Sequence, residues 1–195
     1  MILTHDYLRS QPRYTFDSAC ESVGNQILNE NARMYTQNQS FDVFLSHSSL
    51  DHGEVLILID LFNKCGYSVY VDWIFDKQLD RSNVTPQTAK TLRERMKQSR
   101  GLSYLATSNA SQSKWCPWEL GYFDGKSGNS RCCILPVLSS ATSTYHGQEY
   151  LGLYPYLEYS KYQNSDDYDF WVCEQGSSKY IQLRAWLNGQ NPYEH

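Results

Sequence analysis

Short apolar runs alternate with stretches of helical spacing along most of the chain. Phe41-Asp-Val-Phe-Leu-Ser46 is the first such run and ends in small polar residues. Residues 54–64 follow with Val55, Leu58, Ile59, Leu61 and Phe62 at a helical period, and Gly66 stands where a C-cap fits. A second strand is expected over 67–72 and a polar loop over 73–83. Residues 84–98 then read as a helix with Pro86 at its start. A third strand is expected over 102–107, a helix over 113–125 and a fourth strand over Cys132–Leu138. Beyond Ser139 the pattern weakens into a Tyr-rich, acidic stretch punctuated by Gly147, Gly152 and Pro155. Residues 178–187 read as a terminal helix stopped at Gly189. Strands that are apolar throughout, separated by helices, predict a parallel sheet covered on both faces, an α/β architecture.

At the start of the chain, Phe16, Ala19, Cys20, Val23, Ile27, Leu28, Met34 and Tyr35 recur at roughly helical spacing. Residues 36–40 are polar and mark a boundary. The expected division is a helical extension over 1–39 and one domain over 40–195. The motifs of that domain fall within 40–140, and 141–195 is its Tyr-rich C-terminal part.

Composition narrows the function classes. A length of 195 residues suits one domain with a sizeable core. The net charge of −4 argues against nonspecific binding to nucleic acid or to an anionic membrane. Arg93, Arg95, Lys97 and Arg100 alternate with apolar residues and read as the wet side of a helix. The 6 Cys form no CxxC pair, so neither a metal site nor a disulfide framework can be read from them. Reduced thiols, the absence of an apolar leader at Met1 and the lack of any membrane-length run point to the cytoplasm.

The candidate chemistry sits in Ser113-Lys-Trp-Cys-Pro-Trp-Glu-Leu120. Pro117 is tolerated only in a first helical turn, which puts the N-cap at or near Ser113. Trp115 and Glu119 then lie four apart on one side of the helix, with the carboxylate near its positive end. In open α/β sheets, ligands bind at the exits of the strands. A first-turn Glu is also a common solvated residue, and a Trp at that spacing is commonly core.

Three blocks in order carry a family resemblance. Phe41-Asp-Val-Phe-Leu-Ser-His-Ser48 resembles the first strand and following loop of a TIR domain. Tyr70-Val-Asp72 is similar to the strand that enters that family's BB loop. Ser113-Lys-Trp-Cys-Pro-Trp-Glu119 is similar to its "S-x-W-C-x-x-E" helix. With Gly-Gln-Glu-Tyr-Leu-Gly-Leu-Tyr-Pro over 147–155, the chain most resembles the stand-alone bacterial TIR proteins of Thoeris-type antiphage systems.

The resemblance implies a flavodoxin-like fold with a parallel sheet of about five strands and helices on both faces. It also implies an enzyme that consumes NAD⁺ as substrate, with no cofactor or metal, and makes a cyclic or conjugated ADP-ribose signal for a separate effector. By the same resemblance, Glu119 falls on the catalytic glutamate and Trp115 on its aromatic partner. Ser46, His47, Ser48, Asp72 and Trp73 fall on the nucleotide pocket. Self-association through TIR surfaces is implied, and neither nucleic acid nor membrane is an expected partner.

Such a site suits the reaction. Nicotinamide leaves as a neutral base from a cationic pyridinium, and scission builds oxocarbenium character that a fixed carboxylate stabilises. The competing reading is a non-catalytic TIR module that acts by self-assembly. A phospho-receiver fits less well, because Thr107-Ser108 stands where its acceptor aspartate belongs. A flavodoxin also fits less well, since Ser46-His-Ser-Ser49 mimics its phosphate loop poorly.

Overall fold

The structure, a computed structural model, describes residues 1–11, 29, 40–76, 85–126, 131–140 and 148–195. Its centre is one sheet. The strands are β1 (Leu3–Thr4), β2 (Phe41–Ser46), β3 (Val69–Tyr70), β4 (Ser99–Ala106), β5 (Cys132–Leu138), β6 (Tyr156–Lys161), β7 (Tyr168–Cys173) and β8 (Tyr180–Gln182). The helices are α1 (His5–Arg9), α2 (His52–Lys64), α3 (Asp72–Phe75), α4 (Pro86–Lys97), α5 (Trp115–Gly125) and α6 (Leu183–Leu187). Strand order is β3-β2-β4-β5-β6-β7-β8, with β1 paired to β5. The pairs from β3 to β6 are all parallel, and β7 and β8 add antiparallel. The parallel portion has the doubly-wound order in which connections reverse between β2 and β4, the point where such sheets open a ligand crevice.

Two apolar layers explain why these strands are apolar throughout. Val43 and Leu45 of β2 pack toward α2, with Val55, Leu58, Ile59 and Phe62. Phe41 and Phe44 belong to the opposite layer, with Leu92 and Met96 of α4 and Leu120 and Phe123 of α5. From Val43 onward alternation assigns the side chains of β2 to one layer or the other, while Phe41, at the start of the strand, shares the layer of Phe44. Ser46, two residues beyond Phe44, is directed to the α5 layer.

The expected helix over residues 16–35 lies outside the described residues, and the extension expected over 1–39 begins as part of the sheet. Leu3 pairs with Val137, Tyr159 N–H donates to Met1 O at 3.0 Å, and Leu3 and Leu8 are fully buried. The terminal helix expected over 178–187 is corrected. Its first third is β8, where Ile181 is buried between half-buried Tyr180 and Gln182, and only Leu183–Leu187 is helical. Spacing did not separate the two, because Ile181 and Ala185 lie four apart and satisfy a helix pattern as well. Gly101 of β4 lets α6 close on the sheet. A Cβ there would stand 2.6 Å from Leu187 Cδ2 and 3.1 Å from Arg131 O.

Candidate active site at the ends of the parallel strands

Helix α5 delivers the carboxylate. Ser113 is extended at φ −74 and ψ 129, and its Oγ accepts from Cys116 N–H at 3.3 Å, so it caps the helix as its residue type predicts. Trp115, Cys116, Glu119, Leu120 and Phe123 are its buried residues. Glu119 has no exposed surface, and its Oε2 accepts from Ser46 Oγ–H at 2.6 Å. The carboxylate therefore points inward, onto the tip of β2 and beside the switch point. Ser46 and Glu119 are brought together as the motifs imply.

His47 turns to the other side of β2. Its Nδ1 lies 2.9 Å from Leu45 O, so that nitrogen carries a proton. Nε2 accepts from Trp73 Nε1–H at 3.2 Å and lies 3.7 Å from Asp72 Oδ1. This joins the loop after β2 to the start of α3, bringing His47, Asp72 and Trp73 together. Trp73 also meets His52 edge-on, at 4.9 Å and 76°.

Two candidates have structural surroundings. Ser48 Oγ accepts from Leu50 N–H at 3.3 Å and caps the short turn Ser49–Asp51. Trp115 joins the α5-side apolar layer and meets Trp118 edge-on at 5.4 Å, while Trp118 stacks on Tyr122 at 5.8 Å.

Sequence reasoning missed the bracket across the switch point. Asp51, nearly fully buried, accepts from Thr107 Oγ1–H at 2.7 Å and from Asn109 Nδ2–H at 2.6 Å. Thr107 Oγ1 in turn accepts from Ala110 N–H at 3.1 Å. The loops leaving β2 and β4 are thereby tied together. Burial raises the Asp51 pKa above the ordinary carboxylate value, against the opposing pull of those two bonds. The polar residues closing β2 and β4 were the available signal, but their partnership is tertiary.

The loop after β3 is anchored separately. Asp76 takes two bonds from Arg95, both at 2.9 Å, and one from the Tyr70 hydroxyl at 2.7 Å. Burial alone would push the Asp76 carboxyl up, yet these bonds outweigh it and its pKa is lowered. Cavities of about 650 Å³ and 320 Å³ lie elsewhere. The first, at the start of β5 and β6, is lined by Arg131, Asp124, Glu174 and Trp186. The second lies on the β6–β8 ribbon beside Trp171. Neither cavity is lined by Ser46, His47, Ser48, Asp72, Trp73, Trp115 or Glu119, whereas Gly152, Leu153, Tyr154 and Pro155 of the 147–155 stretch line the first.

No helix of the described residues is long and apolar enough to cross a membrane. Residues 43–171 match the family model for the TIR domain. The chain is 43% identical over 187 residues to "Probable 3' cyclic ADP-D-ribose synthase ThsB'" of Bacillus cereus (strain MSX-D12), covering 95% of this chain and 94% of that relative. A Cytobacillus dafuensis protein named as a cyclic ADP-D-ribose synthase, TIR2, is 36% identical over 95 residues. Those are 48% of this chain and 25% of that longer protein. Among solved structures, the TIR domain of the Toll-related receptor TRR-2 from Hydra magnipapillata aligns over 55% of this chain and 77% of its own, at 16% identity and a TM-score of 0.39. The matched span runs from β2 into β7 and takes in the switch point, the β3 loop and the glutamate of α5: the chain belongs to the TIR domain family.

Proposed function

We propose that this protein cleaves the nicotinamide–ribose bond of NAD⁺ and closes the ADP-ribose portion into a cyclic signalling nucleotide. The observation that carries the reading is the inward carboxylate of Glu119, bonded to Ser46 at the tip of β2. In a chain so similar over its length to a relative named as a 3' cyclic ADP-D-ribose synthase, that carboxylate stands at the crevice end of the sheet. In the step we assign, the C–N bond breaks and its electron pair leaves with neutral nicotinamide. Positive charge develops at the ribose and is stabilised by Glu119. A hydroxyl of the same molecule then forms the new bond to that carbon and releases its proton to solvent water.

His47 and Ser48 of the loop after β2, with Asp72 and the indole of Trp73 at the start of α3, form the part of the crevice assigned to the dinucleotide. NAD⁺ is the substrate, and no further cofactor or metal is invoked. The nucleotide is made in the cytoplasm, during antiphage defence, for a separate effector protein. Self-association through TIR surfaces accompanies turnover.

The test is mass spectrometry of nucleotides formed from NAD⁺ by wild type and by Glu119→Gln, which keeps shape and removes charge. A cyclic ADP-ribose from wild type and none from the variant is expected. Near-wild-type turnover by the variant overturns the catalytic assignment. In cells challenged with phage, NAD⁺ loss should depend on Glu119. Protection without such loss would favour the self-assembling module instead.

A further inference from the structure

Ser46 and Glu119 meet from elements 73 residues apart, at 2.6 Å, with both side chains out of solvent. We propose that Ser46 is a positioning residue for the carboxylate: it fixes the orientation and the charge of Glu119 and does not itself bind the dinucleotide. The inference rests on the function proposed above and assigns this residue a different role from pocket lining.

Three observations carry it. The first is the bond itself, at 2.6 Å a short hydroxyl-to-carboxylate hydrogen bond. The hydroxyl has a single proton, and once given to Glu119 it is not available to a ribose or phosphate oxygen. The second is the rigidity of the donor. Strand β2 is central, paired on one side with β3 and on the other with β4, and all six of its residues are buried. A glutamate reaching out from α5 has three side-chain torsions to settle, and a donor on a buried strand paired on both sides settles them before substrate arrives. The third is the chemistry of the surroundings. The α5-side layer brings Leu92 and Met96 from α4, Tyr104 from β4, Cys132 from β5, Tyr70 from β3 and Cys116 from α5 itself. Besides these phenols and thiols, Lys126 Nζ lies over the Phe123 ring at 3.5 Å, and Asp76 and Arg95 meet the Tyr70 hydroxyl and ring. In so apolar a setting a donated hydrogen bond favours the ionised carboxylate.

The experiment compares Ser46→Ala and Ser46→Thr with wild type and Glu119→Gln in the full chain, measuring kcat and KM for NAD⁺ across pH. Misplacing a catalytic group by about 1 Å costs on the order of 10²-fold. Ser46→Ala should therefore lose kcat by up to that factor while KM changes less than about threefold, with the acid limb of its kcat profile displaced to higher pH. Ser46→Thr, which keeps the hydroxyl, should recover most of the loss. If Ser46→Ala does not fold, Ser46→Cys, close in shape and a weaker donor, should show the same kcat-only defect. A KM raised tenfold with kcat intact makes Ser46 a substrate ligand and overturns the proposal, as does an unchanged kcat and profile. Those results leave the proposed function standing if Glu119→Gln is inactive. An active Glu119→Gln removes that function whatever Ser46 does.

Discussion

Replacing Trp73 with Phe isolates the link between the two loops of the candidate site. The substitution keeps an aromatic ring and deletes one donor, the indole N–H that reaches His47 Nε2 at 3.2 Å. His47 is 1% exposed, so water does not readily take the donor's place. Removing the donor and leaving its buried acceptor unsatisfied costs about 1–3 kcal/mol. The smaller ring also weakens the edge contact with His52, an interaction class worth about 0.5–1.5 kcal/mol. Together these give a loss of about 2–4 kcal/mol. For a chain of this length that corresponds to a fall in Tm of roughly 5–15 °C. Urea denaturation and calorimetry of the two proteins measure the loss. A double-mutant cycle with His47→Ala should return a coupling above about 0.5 kcal/mol. Long-range ¹⁵N–¹H spectra should show wild-type His47 as the Nδ1–H tautomer, because Nδ1 faces a carbonyl and Nε2 faces an N–H. A loss under about 0.5 kcal/mol, or a wild-type spectrum of the Nε2–H tautomer, refutes the linkage.

Arg95→Gln should cost about 1–2 kcal/mol at neutral pH in chemical denaturation, since it breaks a two-bond pair to a partly buried carboxylate. The Asp76 carboxyl is held below its ordinary value of 3.8, so its contribution is present above that value and lost as pH falls through the lower folded one. The gap between wild type and Arg95→Gln should therefore close in acid. Asp51 has the opposite sign. With its pKa raised above 3.8, the folded state takes up the proton first, and its contribution is lost as pH rises through the folded value. Wild type should thus gain stability relative to Asp51→Asn as pH falls through the raised folded value toward 3.8, read as Tm. Gly101→Ala should lose about 1–3 kcal/mol in urea, because Leu187 and the Arg131 carbonyl occupy the space a methyl needs.

Strands β2 and β5 and helix α5 were legible because their local chemistry agrees with their tertiary setting. The first two are apolar on both sides and buried on both sides, and α5 opens with a capping Ser and a tolerated Pro. Strand β4 begins three residues earlier than expected. Ser99, Arg100 and Gly101 carry no apolar signal, and it is pairing with Phe41 and Val43 that makes Ser99 and Gly101 strand. The two-residue β1 is too short for any period to register. The β6–β8 ribbon does alternate, with Leu157 and Tyr159 buried between half-covered neighbours, but its strands are set by pairing with one another. At the site, residue types and spacing singled out Glu119, Ser46 and His47 through resemblance. The bond of Ser46 to Glu119 arises only when α5 packs on β2, and the bracket of Asp51 with Thr107 and Asn109 only when β2 and β4 lie side by side.

Along the parallel strands the carboxylates at the two ends of the sheet meet different kinds of donor, while on the antiparallel ribbon buried Asp169 also takes neutral donors, from Tyr162 and Gln182. At the start of β2, Asp42 meets Arg100 at 3.1 Å and Arg184 at 3.9 Å, and at the outer end of the β3 loop Asp76 meets Arg95. Those pairs cancel charge, as suits positions that only join elements. At the exits of β2 and β4, Asp51 meets a hydroxyl and an amide, and Glu119 meets a hydroxyl. Neutral donors stabilise a carboxylate without cancelling its field. A guanidinium beside Glu119 would lower its energy further, yet it would also remove the negative potential that a developing oxocarbenium ion needs. A donor that holds the acid and leaves its charge intact is therefore the arrangement expected where a cation must form. Along the parallel strands it occurs at the switch-point end, where the topology itself opens a crevice.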